Sequence, residues 1–218
     1  MSVIVLAGMI GAGKTSYTKV IADRLGTEPF YEQVDHNPVL EKFYASPKEW
    51  AFSLQIYFLN SRFKSIKAAL YDDNNVLDRS IYEDALFTEI NHQQGNISSV
   101  NMDIYRDLLE NMMEELAGTP KKAPDLLVYL DGSFETILSR IQQRGRDFEQ
   151  VEVGDERYQY FKLLWENYQA WYDNYNYSPK IAISIDEFDI VANPADIARV
   201  MEIIETALEA SRRETISV

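Results

Sequence analysis

The sequence predicts an α/β fold in which a five-stranded parallel sheet is flanked by helices on both faces. Two observations support this: strand-like apolar runs alternate with longer helical segments, and the first run leads directly into a glycine-rich loop. The runs cover residues 3–7, 29–34, 75–78, 126–131 and 181–186. Ligands of such sheets bind beyond the carboxyl ends of the strands, so the residues that follow each run are candidates for chemistry. At 218 residues, we expect one domain spanning residues 1–218.

The loop after the first strand fits every fixed position of the phosphate-binding pattern G-x-x-x-x-G-K-[ST]. It consists of Gly8, Met9, Ile10, Gly11, Ala12, Gly13, Lys14 and Thr15. Backbone N–H groups of such a loop converge on phosphate oxygens, Lys14 can reach the terminal phosphates, and the Thr15 hydroxyl can ligate magnesium. An ordinary glycine-rich turn explains neither Lys14 nor Thr15. The loop therefore predicts a binding site for a nucleoside triphosphate.

The second strand-like run carries a candidate general base, Glu32, near its end. A carboxylate at that sheet edge could accept a proton from a substrate hydroxyl as the hydroxyl attacks a terminal phosphoryl group. A solvated surface glutamate is the alternative.

The segment 49–70 has the composition of a helix, but its large apolar side chains point around most of the circumference. A helix of this kind must be covered on several sides. We therefore predict a homodimer formed through this helix and the neighbouring helix that begins near Ser80.

The third run ends in Asp78-Arg79-Ser80. Asp78 can hold the magnesium shell or act as the base, and Arg79 can stabilise charge on the transferring phosphoryl group. Ser80 is interpreted as a helix cap.

The helix predicted over residues 134–144 places three arginines, Arg140, Arg144 and Arg146, around the glycine that follows it. Arginines clustered at a glycine hinge are typical of a lid that closes over phosphates, and we place this lid at about residues 140–154. Cations also favour helix C-termini, which explains one or two of the three.

Composition excludes several function classes. The chain has 21 basic and 35 acidic residues, a net charge of −14, so binding to nucleic acid polymers or anionic membranes is not expected. It contains no cysteine, so disulfides and thiolate metal sites are excluded. With no basic leader and no run of roughly 18 apolar residues, a cytoplasmic protein is expected.

Together these segments resemble the deoxyribonucleoside kinase family, with most similarity to bacterial deoxyadenosine and deoxyguanosine kinases. The resemblance covers most of the chain and is carried by the phosphate-binding loop, Glu32, Tyr44, the segment 50–55, Arg62, the triplet 78–80, Asp84 and the run 140–149. It implies a P-loop kinase fold and a magnesium- and ATP-dependent phosphorylation of the 5′-hydroxyl of a purine deoxyribonucleoside in nucleotide salvage.

The resemblance also implies roles for individual residues. Glu32 would act on the 5′-hydroxyl with Arg79 beside it, and Asp78 would lie near the magnesium ion that Thr15 ligates. Which of the two carboxylates takes the proton is left open. The triplet begins with aspartate where many relatives have glutamate, and the shorter side chain bears on whether Asp78 contacts the reaction centre or metal-bound water. Acceptor contacts would come from Tyr44 and Glu149 at the sugar 3′-hydroxyl and from Gln55, Arg62 and Asp84 at the base. Donor contacts would come from the loop, from the lid, and from Asp186, Glu187 and Phe188 around the adenine.

Three other functions remain as alternatives. A kinase that prefers deoxycytidine or accepts several deoxynucleosides would share all of these residues, because the amide of Gln55 can pair with adenine, guanine or cytosine. A nucleoside monophosphate kinase would need positive charge where Glu32 stands. A non-catalytic nucleotide-dependent switch would need neither the carboxylate nor the arginine lid.

Overall fold

A computed structural model describes residues 3–32, 34, 37–69, 74–117 and 123–216, with side chains described as far as residue 213. It confirms the α/β fold. The strands β1 (Val3–Ala7), β2 (Glu28–Phe30), β3 (Asn75–Asp78), β4 (Leu126–Asp131) and β5 (Lys180–Ser184) form a parallel sheet in the order β2-β3-β1-β4-β5.

Helices connect the strands and cover the sheet. They are α1 (Lys14–Leu25), α2 (Leu40–Ala45), α3 (Pro47–Ala69), α4 (Ile81–Gln93), α5 (Ser99–Ala117), α6 (Phe134–Arg144), α7 (Glu156–Asn174) and α8 (Pro194–Ile216). A short 3-10 helix, Asp147–Glu149, follows α6. No helix in the described part of the chain is both long and apolar enough to cross a membrane.

The central strand β1 determines where the site forms. It pairs with β3 on one side and β4 on the other, and Leu6 lies opposite both Asp78 and Val128. The loop that follows β1 therefore begins beside the carboxyl end of β3. In open parallel sheets, ligands bind in the crevice at such a topological switch point, where successive connections run to opposite sides of the sheet.

Two strands are shorter than the sequence predicts. β2 ends at Phe30, because its partner β3 has only one residue beyond the position paired with Phe30. β5 ends at Ser184, which pairs with Asp131 at the end of β4. Glu32 consequently lies in the loop after β2, and Asp186 lies in the loop after β5.

The long helix predicted over residues 49–70 is α3, which extends from Pro47 to Ala69; Leu70 lies outside the described residues. It packs within the chain against α2, α4, α5 and β3. Its apolar circumference is therefore covered in large part by the protein's own elements.

Candidate active site

A cavity of about 840 Å³ lies at the carboxyl edge of the sheet. One part of its wall is the phosphate-binding loop, with Lys14 and Thr15, and another comes from α2, α3, α4 and α7. Glu32 and Arg79 line it as well. The cavity therefore joins the candidate phosphate site to a second compartment with polar and aromatic walls.

Local backbone geometry shapes the phosphate-binding loop. Gly11 and Gly13 have φ angles of +87° and +93°, which L side chains rarely adopt. Gly13 directly precedes α1, so the loop ends at a helix N-terminus, where backbone N–H groups favour anions.

Lys14 lies over its own loop. Its Nζ donates to the carbonyl oxygens of Gly8, at 2.7 Å, and of Met9, at 3.1 Å. Burial, reinforced by the positive charge of Arg79, lowers the pKa of Lys14 to about 8. A triphosphate bound in the loop would supply the negative charge that favours its ammonium form.

Thr15 and Asp78 meet at the base of the loop. The Thr15 hydroxyl donates to Asp78 Oδ2 at 2.6 Å, while the buried Oδ1 has no hydrogen-bond partner among the described residues. Burial raises the pKa of Asp78. One hydroxyl and one carboxylate with an unused oxygen are oxygen ligands of the type that Mg²⁺ takes beside phosphates and waters, so this pair fits such an ion.

Glu32 stands between two arginines. Its Oε1 accepts a hydrogen bond from Arg62 at 2.7 Å and forms an ion pair with Arg79, whose Nε lies 3.1 Å away. Burial opposes its ionisation, but Arg79, Arg62 and Lys14 outweigh that effect and lower the pKa of Glu32 to about 2. Glu32 is therefore a carboxylate at neutral pH, held in place by cations.

Arg79 adopts a strained backbone conformation. Its φ of 83° is the only positive value of a non-glycine residue in the described part of the chain. Such strain persists only where surrounding contacts hold it, and here the Arg79 N–H donates to Leu6 O at 3.1 Å. From this backbone the Arg79 side chain reaches Glu32.

In the second compartment, Asp84 lines the wall and forms the predicted pair with Arg62, which lies behind it. Arg62 donates to both carboxylate oxygens, from Nε at 3.2 Å and from a terminal nitrogen at 3.1 Å. The buried amide of Gln55 lines the same compartment, and its Oε1 accepts from the Thr88 hydroxyl at 3.5 Å. Burial raises the pKa of Tyr44 well above its usual value, so its hydroxyl remains a donor.

The three predicted lid arginines contact different partners. Arg140 donates to the carbonyl oxygens of Ala12, at 3.0 Å, and Ile185, at 3.1 Å. Arg144 pairs with Glu149, and Arg146 lies 3.6 Å from the same carboxylate. All three line the cavity, but whether they move as a lid stays a prediction.

Whether Asp186, Glu187 and Phe188 surround a bound adenine stays a prediction. Asp186, Glu187 and Phe188 are not among the cavity-lining residues; the next four residues, Asp189, Ile190, Val191 and Ala192, line it instead. Asp186 accepts hydrogen bonds from the backbone N–H of Ser133, at 2.7 Å, and from its hydroxyl, at 3.1 Å. Phe188 is buried beneath Arg199. Asp186 thus anchors the start of α6, and Phe188 fills the core.

Sequence reasoning missed Glu83 and Arg157. Glu83 is fully buried and forms the capping box of α4 with Ser80, which confirms Ser80 as a cap. The S-x-x-E pattern was the available signal for it. Arg157 donates to Tyr44 O at 3.3 Å and lies over the Tyr44 ring, and no local pattern indicates that contact.

The structure thus gathers the predicted loop, both carboxylates, Arg79 and the acceptor residues around one cavity, apart from Gly8, Met9, Ala12 and Arg62, which lie behind its wall. Gly8 and Met9 contribute carbonyl oxygens to Lys14, and Arg62 supports Glu32 and Asp84.

Comparisons with known proteins agree with this arrangement. A sequence model of the family described as deoxynucleoside kinase matches residues 4–209. The chain is 53% identical over 209 residues to a deoxyguanosine kinase of Lactobacillus johnsonii, covering 96% of this chain and 93% of that protein. It is 49% identical over 193 residues to a deoxyadenosine kinase of Lactobacillus acidophilus, covering 88% and 90% respectively.

A solved structure of a deoxyadenosine kinase from M. mycoides with bound dCTP has the same fold. It matches with a TM-score of 0.79 at 30% identity and covers 94% of this chain and 99% of that chain.

Proposed function

Because this chain belongs to the deoxynucleoside kinase family and is therefore a kinase, we propose that it transfers the terminal phosphoryl group of ATP to the 5′-hydroxyl of a purine deoxyribonucleoside. One observation carries the proposal. The Glu32–Arg79 pair, whose Oε1 and Nε atoms are 3.1 Å apart, lines the same cavity as the phosphate-binding loop and the second compartment. We assign that second compartment, called the acceptor compartment below, to the acceptor nucleoside. An acceptor hydroxyl and a donor phosphate can therefore meet at that pair.

The proposed step is an in-line displacement. The 5′-oxygen of the acceptor bonds to the terminal phosphorus of ATP, the bond from that phosphorus to the bridging oxygen breaks, and ADP leaves with that electron pair. The hydroxyl proton passes to Glu32. Lys14 and Arg79 stabilise the charge that develops on the phosphoryl oxygens.

On the donor side, the loop Gly8–Thr15 would hold the phosphates while Arg140, Arg144 and Arg146 approach them from α6 and the segment after it. Thr15 and Asp78 would hold Mg²⁺, which when bound neutralises phosphate charge during transfer. The unused Oδ1 of Asp78 and its contact with Thr15 support that assignment.

On the acceptor side, the Tyr44 hydroxyl and the Glu149 carboxylate would orient the sugar through its 3′-hydroxyl. Gln55 would pair with the base edge, and the Arg62–Asp84 pair would complete that compartment. The preference for purines rests on the names of the similar proteins, deoxyguanosine kinase and deoxyadenosine kinase.

We also propose that the protein is a homodimer and acts in the cytoplasm. An apolar stripe on α5, beside α3, supports the dimer: Val100 and Ile104 are 69% and 49% exposed, and Leu108 and Met112 continue the same four-residue spacing. The predicted contact through α3 and α4 stays a prediction, and we add α5 to it, because no large apolar side chain among the described residues of α4 is strongly exposed.

The experiment that tests the function measures ADP release from ATP and Mg²⁺ with deoxyadenosine, deoxyguanosine, deoxycytidine, thymidine, adenosine or thymidine monophosphate as acceptor. We expect turnover with at least one purine deoxynucleoside and loss of that turnover in a Glu32→Gln preparation, which controls for contaminating kinases. Turnover with thymidine monophosphate alone would overturn the proposal. So would the absence of turnover with every acceptor. Turnover confined to deoxycytidine would overturn the purine preference.

A further inference from the structure

Glu83 is a buried carboxylate at which three parts of the active site meet. It lies in the first turn of α4, is 0% exposed, and is not among the residues that line the cavity. Its Oε1 accepts from the N–H of Gly8 at 3.0 Å, the Tyr168 hydroxyl at 3.0 Å and a terminal nitrogen of Arg79 at 3.3 Å. Its Oε2 accepts from the N–H of Ser80 at 3.0 Å. Helix capping alone accounts for one of these four contacts.

The contact with Gly8 fixes the start of the phosphate-binding loop. Gly8 has a φ of 147°, and a Cβ at this position would lie 2.9 Å from Leu130 O. Its N–H is the first of the loop and points to Glu83 rather than into the cavity. The same glycine offers its carbonyl oxygen to Lys14. A shift of Gly8 would therefore move the lysine that is proposed to contact the terminal phosphate.

The contact with Arg79 fixes the other side of the reaction centre. Arg79 reaches Glu32 through Nε and Glu83 through a terminal nitrogen, and that nitrogen also donates to the Tyr168 hydroxyl at 3.0 Å. Two carboxylates thus hold the guanidinium: Glu32 contacts its Nε and Glu83 contacts a terminal nitrogen. Since the backbone of Arg79 is strained, its side-chain direction depends on such contacts.

We propose that Glu83 is a positioning residue for phosphoryl transfer: it sets the register between the phosphate-binding loop and the Arg79–Glu32 pair. This rests on the proposed function. Four donors converge on Glu83, and a carboxylate accepts from all of them. An amide would turn its own N–H groups toward at least one of these donors. Because Glu83 does not line the cavity, its effect reaches the substrates through Gly8 and Arg79.

The test compares Glu83→Gln with the wild-type protein in the ADP-release assay. We expect kcat to fall about 10- to 100-fold, as for a misplacement of order 1 Å, while KM for the deoxynucleoside changes less than about threefold. The matched control is Asp125→Asn. Asp125 accepts from the N–H of Val3 at 2.6 Å, at the opposite end of β1, so exchanging this charged acceptor for a neutral one should lower stability and leave kcat unchanged.

A double-mutant cycle separates positioning from general destabilisation. If Glu83 acts through Arg79, Glu83→Gln should cost clearly less in kcat when Arg79→Lys is already present. Should Glu83→Gln fail to fold, Tyr168→Phe removes one donor to the same carboxylate while keeping the ring, and a several-fold loss of kcat is expected.

Full kcat in both Glu83→Gln and Tyr168→Phe, or independent effects in the cycle, would overturn the proposal. So would a loss of kcat in Asp125→Asn equal to that in Glu83→Gln. A wild-type protein with no deoxynucleoside kinase activity would instead overturn the proposed function, so the two failures are distinguishable.

Discussion

The pKa values of two carboxylates of the site, Glu32 and Asp78, are shifted in opposite directions. Arg79, Arg62 and Lys14 lower the pKa of Glu32 to about 2, whereas burial raises the pKa of Asp78. Pairs of acidic groups separated in this way commonly divide the roles of a reaction. A carboxylate as weakly basic as Glu32 suits a loose phosphoryl-transfer transition state, in which the acceptor proton leaves late.

Replacing Glu32 by glutamine tests that division. Glu32→Gln should lower kcat by about 10²–10⁴-fold, because the amide cannot take the proton and leaves Arg79 and Arg62 without their shared counter-ion. The measurement is steady-state ADP release at saturating ATP. Near-normal turnover would move the role of base to Asp78.

The pH profile distinguishes the two carboxylates in the unsubstituted protein. With a pKa of about 2, Glu32 stays ionised throughout the range from pH 5 to pH 7, so kcat should be flat there. If kcat instead falls toward acid pH in that range, and this fall is absent in Asp78→Asn, the essential ionisation belongs to Asp78.

Lys14 predicts a pH dependence of ATP binding. Its pKa is about 8 when it lies on the loop carbonyls, and a bound triphosphate favours the charged form. Above pH 8, ATP binding must therefore take up a proton, and the Kd should rise by up to about tenfold per pH unit. Calorimetry at pH 7.5 and 9.5 measures this, with Lys14→Arg as the control, because its guanidinium stays charged. Equal Kd values at both pH values in the wild type would contradict the prediction.

At the scale of elements, the phosphate-binding loop is built against α6. A Cβ at Gly11 would lie 2.8 Å from Ile141 Cγ1 and 3.0 Å from Ile137 O, both on α6. The helix that carries Arg140 and Arg144 is therefore in direct contact with the loop that would hold the phosphates. A change in the position of the loop would therefore also change the position of these arginines.

A pair of glycine substitutions separates that contact from backbone strain. Gly11 and Gly26 have φ angles of +87° and +63°, but a Cβ at Gly26 would meet nothing within 4 Å. Gly26→Ala should cost about 1–2 kcal/mol of unfolding free energy and leave activity intact. Gly11→Ala should cost more and also weaken ATP binding, because it pushes the loop and α6 apart. Denaturant unfolding and ATP titration measure both effects, and equal behaviour of the two variants would contradict the argument.

At the scale of the whole molecule, a net charge of −14 works against self-association, so any stable dimer needs an apolar contact. The stripe on α5 offers one. The proposed dimer would place that stripe, together with the neighbouring face of α3, against its copy.

Sedimentation velocity tests the dimer. We expect a species of twice 25.2 kDa for the wild type and a monomer for Ile104→Glu, because a charge in an apolar interface is unpaired. Ile203 on α8 is 38% exposed and provides the matched control, so Ile203→Glu should remain dimeric. A wild-type monomer independent of concentration would refute the dimer.

The sequence by itself determined the class of fold, the phosphate-binding loop and the strand-end positions of Asp78 and Arg79. These follow from local spacing: apolar runs of strand length, glycines before a lysine and a hydroxyl, and polar residues directly after a buried run. Strand ends were less well predicted at the edges of the sheet, at β2 and β5, because there the extent of one partner strand decides where pairing stops.

Only the tertiary structure decided how the site is held together. Three features join distant parts of the chain. Arg62 and Arg79 share Glu32, and Gly8, Arg79 and Tyr168 converge on Glu83. The cavity is lined by residues 189–192 rather than 186–188. Spacing along one element says which side chains share a face. It does not say which other element that face meets, and the burial and pKa of each group at this site depend on that meeting.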